Sequence, residues 1–198
     1  MRKITLAITG ASGMPFAFAL IQSLNKMGVM VNLIISKAAV ITLDYEHSLS
    51  LSANSDITQA KLVDYLQLIK PELLRVYAIQ DWFAPMASGS SVDEAMVICP
   101  CSMATLSKVA NGIGDDLITR SADVIIKERR NLIIVPRETP FSSIHLENML
   151  KLSRIGVSII PPIPAFYTKP QTIEDIISFV VSRILDQLQM DNNLIHRW

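Results

Sequence analysis

Residues 4–29 read ITLAITGASGMPFAFALIQSLNKMGV. Ile4 to Ile8 is an apolar run that leads straight into Thr9-Gly10-Ala11-Ser12-Gly13. Phe16, Leu20, Ile21, Leu24 and Met27 then recur three or four apart. The order is strand, tight glycine turn, helix. The turn has no large side chain, so a ligand can come close to its backbone. Its N–H groups fall at a helix N-terminus, where unpaired donors and the helix dipole favour an anion. The stretch reads as the first βα unit of an open α/β sheet with a phosphate cradle at its tip. The plainer alternative is a βα turn that uses glycine for geometry alone.

Two details narrow the ligand. The turn is G-x-x-G, which departs from the G-x-G-x-x-G dinucleotide fingerprint. The second apolar run, Val31 to Ile35, ends in Ser36-Lys37, where a dinucleotide fold favours an acidic residue on a ribose hydroxyl. A mononucleotide with one phosphate, such as FMN, fits better than NAD.

The chain has 198 residues, enough for one domain, residues 1–198, with a sizeable core. Half of its residues are hydrophobic and 18% are charged, so surplus apolar surface is expected between subunits of a homo-oligomer. No apolar run is long enough to span a bilayer. The formal net charge is zero and there is no basic stripe, which disfavours nucleic acid as a partner. Arg2-Lys3 lead into a strand pattern rather than a signal peptide. Cys99 and Cys101 flank Pro100, too close for an ordinary disulfide or zinc site. They read as buried free thiols of a cytoplasmic protein.

Further along, the spacing predicts a helix over Lys37 to Tyr45, a polar loop over 47–57 and a helix over Ile57 to Ile69. A short strand is expected over Arg75 to Ile79. The segment Asp81 to Ser91, rich in aromatic and small hydroxyl residues, reads as a surface loop or a binding lid. Ala95 to Cys99 is a strand that Pro100 should break, and Ser102 caps a helix to Ala110. A helix that Asp115-Asp116 precede and that runs through Arg130, a strand over Leu132 to Val135 and a helix over Ser143 to Arg154 follow. The last elements are a strand over Val157 to Ile160 and a long amphipathic helix over Thr172 to Met190. Strands and helices alternate and the strands are almost wholly apolar. That pattern implies a doubly wound, mostly parallel α/β sheet with helices on both faces.

In such sheets a ligand sits beyond the C-terminal strand ends, where strand order reverses. Polar groups crowd four of those ends: Gly10-Ala11-Ser12-Gly13, Ser36, Cys101 to Thr105, and Arg137-Glu138. Each has a plainer reading. Ser102 could serve only as a cap, and Arg137 could pair with Glu138. Their shared placement favours a site.

The segments ITGASG, LIISKAA, ASGSS, MVICPCSMATLS, TRSADVIIKERR, LIIVPRETPFSSIHLENM and IIPPIPAFYTKPQ together resemble the UbiX-like flavin prenyltransferases, from the first strand to Arg197-Trp198. PRETP and PAFY are the specific segments. Related cysteine decarboxylases carry a PASANT-type motif where this chain has PCSMAT. The resemblance implies a Rossmann-like, three-layer α/β/α flavoprotein. Its enzymes move a dimethylallyl group from dimethylallyl phosphate to N5 and then C6 of reduced FMN, without a metal. The product, prenyl-FMN, serves UbiD-like decarboxylases, including a step of ubiquinone synthesis. The alternatives on this fold are a flavin-dependent cysteine decarboxylase and a non-catalytic FMN carrier.

Carried over from that family, Gly10, Ala11, Ser12, Ser36, Ser102, Met103, Ala104, Thr105 and Arg137 contact FMN. Tyr167 and Arg183 hold dimethylallyl phosphate. Arg120, Lys127 and Glu138 lie near its phosphate, and Glu46 and Trp82 complete the pocket, with Ser88, Gly89 and Ser90 on the substrate side. The family's dodecamers imply that neighbouring subunits supply some of these groups. The cations and the Tyr hydroxyl suit a leaving phosphate, and Trp82 suits allylic positive charge. Glu138 reads as a proton relay or as a partner for the cations. Arg183, in mid-helix, is chosen by the resemblance alone. His145 reads as structural, and His47 and His196 have no evident partners.

Overall fold

The computed structural model describes residues 1–195; His196, Arg197 and Trp198 lie outside the described residues. The opening stretch folds as its pattern predicts. Strand β1 (Lys3–Ile8) is followed by helix α1 (Met14–Lys26). The chain continues through β2 (Met30–Ile35), α2 (Lys37–His47), α3 (Ser55–Tyr65), β3 (Leu74–Tyr77), β4 (Ala95–Cys101), α4 (Met103–Ala110) and α5 (Leu117–Lys127). It closes with β5 (Asn131–Pro136), α6 (Ser143–Arg154), β6 (Ser158–Ile159) and α7 (Ile173–Gln187).

The strands form a six-stranded sheet in the order β3-β2-β1-β4-β5-β6, with every pair parallel. Alternate residues face opposite helix layers. Leu6, Leu33 and Val97 pack with α1, α2, α3 and α7, whereas Ala7, Ile34 and Ile98 pack with α4, α5 and α6. Both faces are therefore apolar, which explains the near-continuous hydrophobic strands. Strand order reverses between β1 and β4, which places a crevice at their C-terminal ends.

Several boundaries differ from the sequence expectation. Pro100 does not end β4, which runs on to Cys101 through a shift of register between Ile98 and Cys101. A proline is tolerated at such an irregularity because no ladder donor is required there. The shift turns Cys99 and Cys101 to opposite faces of the sheet. Both thiols are free and buried, and burial pushes both above the usual thiol range.

Ser55 and Asp56, expected in a loop, open α3 because the Asn54 side chain accepts from the N–H groups of Asp56 and Ile57. That helix stops at Tyr65 and α5 stops at Lys127, short of Ile69 and Arg130; Gln67 and Arg129 take positive φ beyond each end. The last helix starts after Thr172, its N-cap, and ends at Gln187 rather than Met190. Two residues of the helical period read for α1 are not buried. Phe16 is half-buried, and Met27, the C-cap, is exposed. Asn25 is buried instead, exchanging hydrogen bonds of 2.7 and 3.1 Å with the Lys70 backbone.

The connection from β3 to β4 runs from the C-terminal edge of the sheet to its N-terminal edge, along α5. Arg120 Nε donates to the Ala87 carbonyl at 3.2 Å. Near the far end the buried Asp93 carboxylate accepts from Thr5 Oγ1 at 2.7 Å and Asn32 Nδ2 at 2.8 Å. No helix among the described residues is long and apolar enough to cross a membrane.

Candidate active site

Three helices begin at the crevice. The backbone N–H groups of Ser12, Gly13 and Met14 at α1, of Lys37 and Ala38 at α2, and of Met103 and Ala104 at α4 make no hydrogen bond among the described residues. Next to each group stands a capped or bent residue that sets its direction. Ser36 Oγ accepts from Ala39 N at 3.1 Å, and Ser102 Oγ accepts from Thr105 N at 3.3 Å. Gly13 holds φ +118°, a conformation an L side chain resists. Gly10 lies so close to α2 that a Cβ would overlap the Ala38 methyl. Unpaired donors at three helix starts, with little side-chain bulk above the turn, make a cradle suited to an anion. The chemistry of this donor set fits the phosphate and polar edges of FMN.

Arg137 adds a fixed cation. Its Nε donates to the Ser12 carbonyl at 3.1 Å, and no ion pair joins it to Glu138. Glu138 Oε1 instead accepts from Thr139 N at 3.0 Å. Ser12 is exposed, and its hydroxyl has no partner among the described residues. A cleft of about 420 Å³ is lined by Ser12, Gly13, Phe16, Arg137, Glu138 and Phe141, with Pro161, Pro162 and Ile163 on its far side. Phe16 and Phe141 were missed by sequence reasoning. Phe16 was read only as part of the helical period of α1, and nothing local marked Phe141.

A second cleft of about 810 Å³ shares Pro161 and Ile163 with the first. Tyr167 and Arg183 both line it. The Tyr167 ring meets Phe179 edge-on at 6.1 Å, and Arg183 Nη1 pairs with Asp186 at 2.8 Å. Residues in distant segments, linked beforehand only by resemblance, thus share one wall.

The remaining candidates lie elsewhere on the chain. Lys127 pairs with Glu128 at 2.6 Å, and Arg120 pairs with Asp123 at 3.3 Å. Gly89 packs so tightly on Glu128 that a Cβ would collide with its carboxylate. Ser88, Gly89, Ser90 and Lys127 therefore sit toward the N-terminal edge of the sheet, opposite the cradle. Trp82 is partly exposed and Phe83 wholly so, at 100%. Glu46 is exposed near the end of α2 without a partner among the described residues. One chain does not bring Glu46, Trp82, Ser88, Gly89, Ser90, Arg120 or Lys127 onto either cleft. His145 Nδ1 accepts from Ser142 N at 3.2 Å, closing a capping box at the start of α6.

Residues 1–185 match the family model described as Flavoprotein. The chain is similar to the flavin prenyltransferase UbiX of Pseudomonas aeruginosa, with 50% identity over 99% of this chain and 93% of that one. Among solved structures it resembles AnUbiX in complex with FMN and dimethylallyl pyrophosphate, at TM-score 0.86 and 40% identity, covering 100% of this chain and 97% of that one. A dodecameric FMN-dependent UbiX-like decarboxylase from Escherichia coli O157:H7 matches at TM-score 0.86 and 40% identity, over 99% of this chain and 98% of the other.

Proposed function

Because the chain belongs to the flavoprotein family and, within it, to the UbiX-like flavin prenyltransferases, we propose how its residues divide the work of prenylating a flavin. The protein is a flavin prenyltransferase that makes prenyl-FMN from FMN and a dimethylallyl phosphate ester. The observation that carries the division of labour is the pair of contiguous clefts. One begins at the anion cradle, the other holds Tyr167 and Arg183, and Pro161 and Ile163 border both.

In this reading Gly10, Ala11, Ser12, Ser36 and Ser102 to Thr105 bind FMN, and Arg137 orients it. Reduced FMN supplies the nucleophilic N5 and C6 positions that accept the dimethylallyl group. Tyr167 and Arg183 hold the substrate phosphate, donating to its oxygens as the allylic C–O bond breaks and negative charge builds on them. Arg120 and Lys127 add positive charge, Trp82 provides an aromatic wall, and Glu138 holds or passes a proton. Glu46, Ser88, Gly89 and Ser90 complete the pocket. The chemistry requires no metal.

The groups on α5 and the β3–β4 connection reach a cleft only if another copy of the chain brings them there. We propose a homo-oligomer, with the dodecamer as the expected form, in which neighbours complete each site. The exposed Phe83, Tyr45 and Ile41 support it. We propose that the chain forms a single flavoprotein domain. The unpaired thiols Cys99 and Cys101 support activity in the cytoplasm, and a UbiD-like decarboxylase is the proposed recipient of prenyl-FMN.

Mass spectrometry of the flavin after the reduced protein meets dimethylallyl phosphate tests the reading. A flavin heavier by one five-carbon unit is expected. Unchanged FMN, with either the monophosphate or the diphosphate ester, would overturn it.

A further inference from the structure

Thr9 sits where β1 ends, and the residue is 1% exposed. Its Oγ1 donates to the Pro100 carbonyl at 2.9 Å and accepts from Ser102 N at 2.7 Å. Its backbone N–H donates to the same Pro100 carbonyl at 3.2 Å, and its own carbonyl accepts from Ala11 N at 2.8 Å. These bonds lie where the β1–β4 ladder has stopped. The paired register runs only to Ala7 and Ile98, and β4 then slips before Cys101. No side chain of Thr9 lines either cleft.

We propose that Thr9 is a positioning residue for flavin binding. By bridging the end of β1 to the cap of α4, it sets the distance between two arms of the anion cradle. One arm is the turn Gly10 to Gly13, which follows Thr9 directly. The other is the pair of unpaired N–H groups on Met103 and Ala104, which follow Ser102. A hydroxyl is required because one atom must donate to Pro100 and accept from Ser102. Valine has the same shape but leaves the Ser102 N–H without its acceptor, and the cap is free to turn.

The inference rests on the flavin reading of the cradle, and the two can fail separately. If the parent chain binds no FMN, the flavin reading fails. If the parent binds FMN and Thr9→Val binds it equally well, only the positioning role fails. The test measures the Kd of FMN by quenching of its fluorescence, together with urea unfolding of the ligand-free protein. Thr58→Val is the control. Thr58 Oγ1 makes the same two-way bridge, donating to Ser52 O at 2.9 Å and accepting from Ser52 N at 3.1 Å, and it bonds neither β1 nor the cap of α4. Thr9→Val should weaken FMN binding by about tenfold or more, Thr9→Ser should stay within about threefold of the parent, and Thr58→Val should lose stability without losing flavin. Loss of flavin affinity in Thr58→Val equal to that in Thr9→Val would make the effect one of general stability and overturn the proposal. Should Thr9→Val fail to fold, Thr9→Ser decides. It keeps the hydroxyl and loses the methyl, so a tenfold loss of FMN affinity there would assign the role to packing and overturn the bridge.

Discussion

Arg137 Nε donates to the carbonyl of Ser12 at 3.1 Å, across 125 positions of sequence. The bond joins the turn after β1 to the end of β5 and holds a guanidinium beside the exposed Ser12 hydroxyl. Arg137→Ala should leave the sheet intact and raise the Kd of FMN ten- to a hundred-fold, since a charge-assisted hydrogen bond contributes about 1.5–3 kcal/mol. Fluorescence titration measures it, with NAD as the ligand expected not to bind. An unchanged FMN Kd would remove Arg137 from the flavin site.

Gly10→Ala should destabilise the fold. A methyl there overlaps Ala38 Cβ and lies 3.2–3.3 Å from the Ala38 backbone, which cannot rotate away as a long side chain could. Overpacking of this kind typically costs about 1–3 kcal/mol. The urea midpoint should fall without a change in slope; a parent-like midpoint would mean that α2 shifts freely.

Ser12→Ala changes an exposed residue whose hydroxyl makes no internal hydrogen bond, so unfolding should follow the parent curve. Prenylation at saturating substrates should slow if that hydroxyl faces the reacting edge of the flavin. Equal turnover would reduce Ser12 to a turn residue.

Tyr167 and Arg183 share the wall of the larger cleft. Arg183→Ala should weaken dimethylallyl phosphate ten- to a hundred-fold, for about 1.5–3 kcal/mol. Tyr167→Phe should cost less, about 1 kcal/mol. FMN occupancy should be retained in both, because neither residue lines the cradle cleft. Steady-state rates against substrate concentration separate the cases. Joint loss of flavin and substrate would make both residues structural supports.

Sedimentation should find a species far heavier than the 21.9 kDa chain. Replacing the fully exposed Phe83 with Asp should shift it toward smaller forms and reduce turnover, because desolvating a charge in an apolar contact is unfavourable. An active monomer would refute a site completed by neighbours.

Much of the local structure was legible. The run Ile4 to Ile8, the glycine turn and the period of Leu20, Ile21 and Leu24 specify strand, turn and helix through contacts within four residues. Ser102 was readable as an N-cap for the same reason. Asn54 was equally local, but it stood in a polar stretch whose composition suggested loop. The PRETP and PAFY segments carried the family.

Which residues meet was a different matter. Hydrophobic periodicity says that a strand is buried, but it does not say which strand lies beside it. The order β3-β2-β1-β4-β5-β6 brings Ser12 to Arg137 and Thr9 to Ser102. The packing of β6 and α7 brings Tyr167 to Arg183. The same blindness made Pro100 look like a strand end, because its local effect is to remove a donor. Only the neighbouring strand end, with Thr9 bonded to its carbonyl, shows why β4 continues. Sequence by itself determined most of the elements, the Ser102 cap and which polar residues stand at four strand ends, all set by short-range sterics and solvation. Tertiary structure alone decided how those ends converge, because hydrogen bonds between segments about 90 to 125 residues apart depend on strand order, which no local pattern encodes.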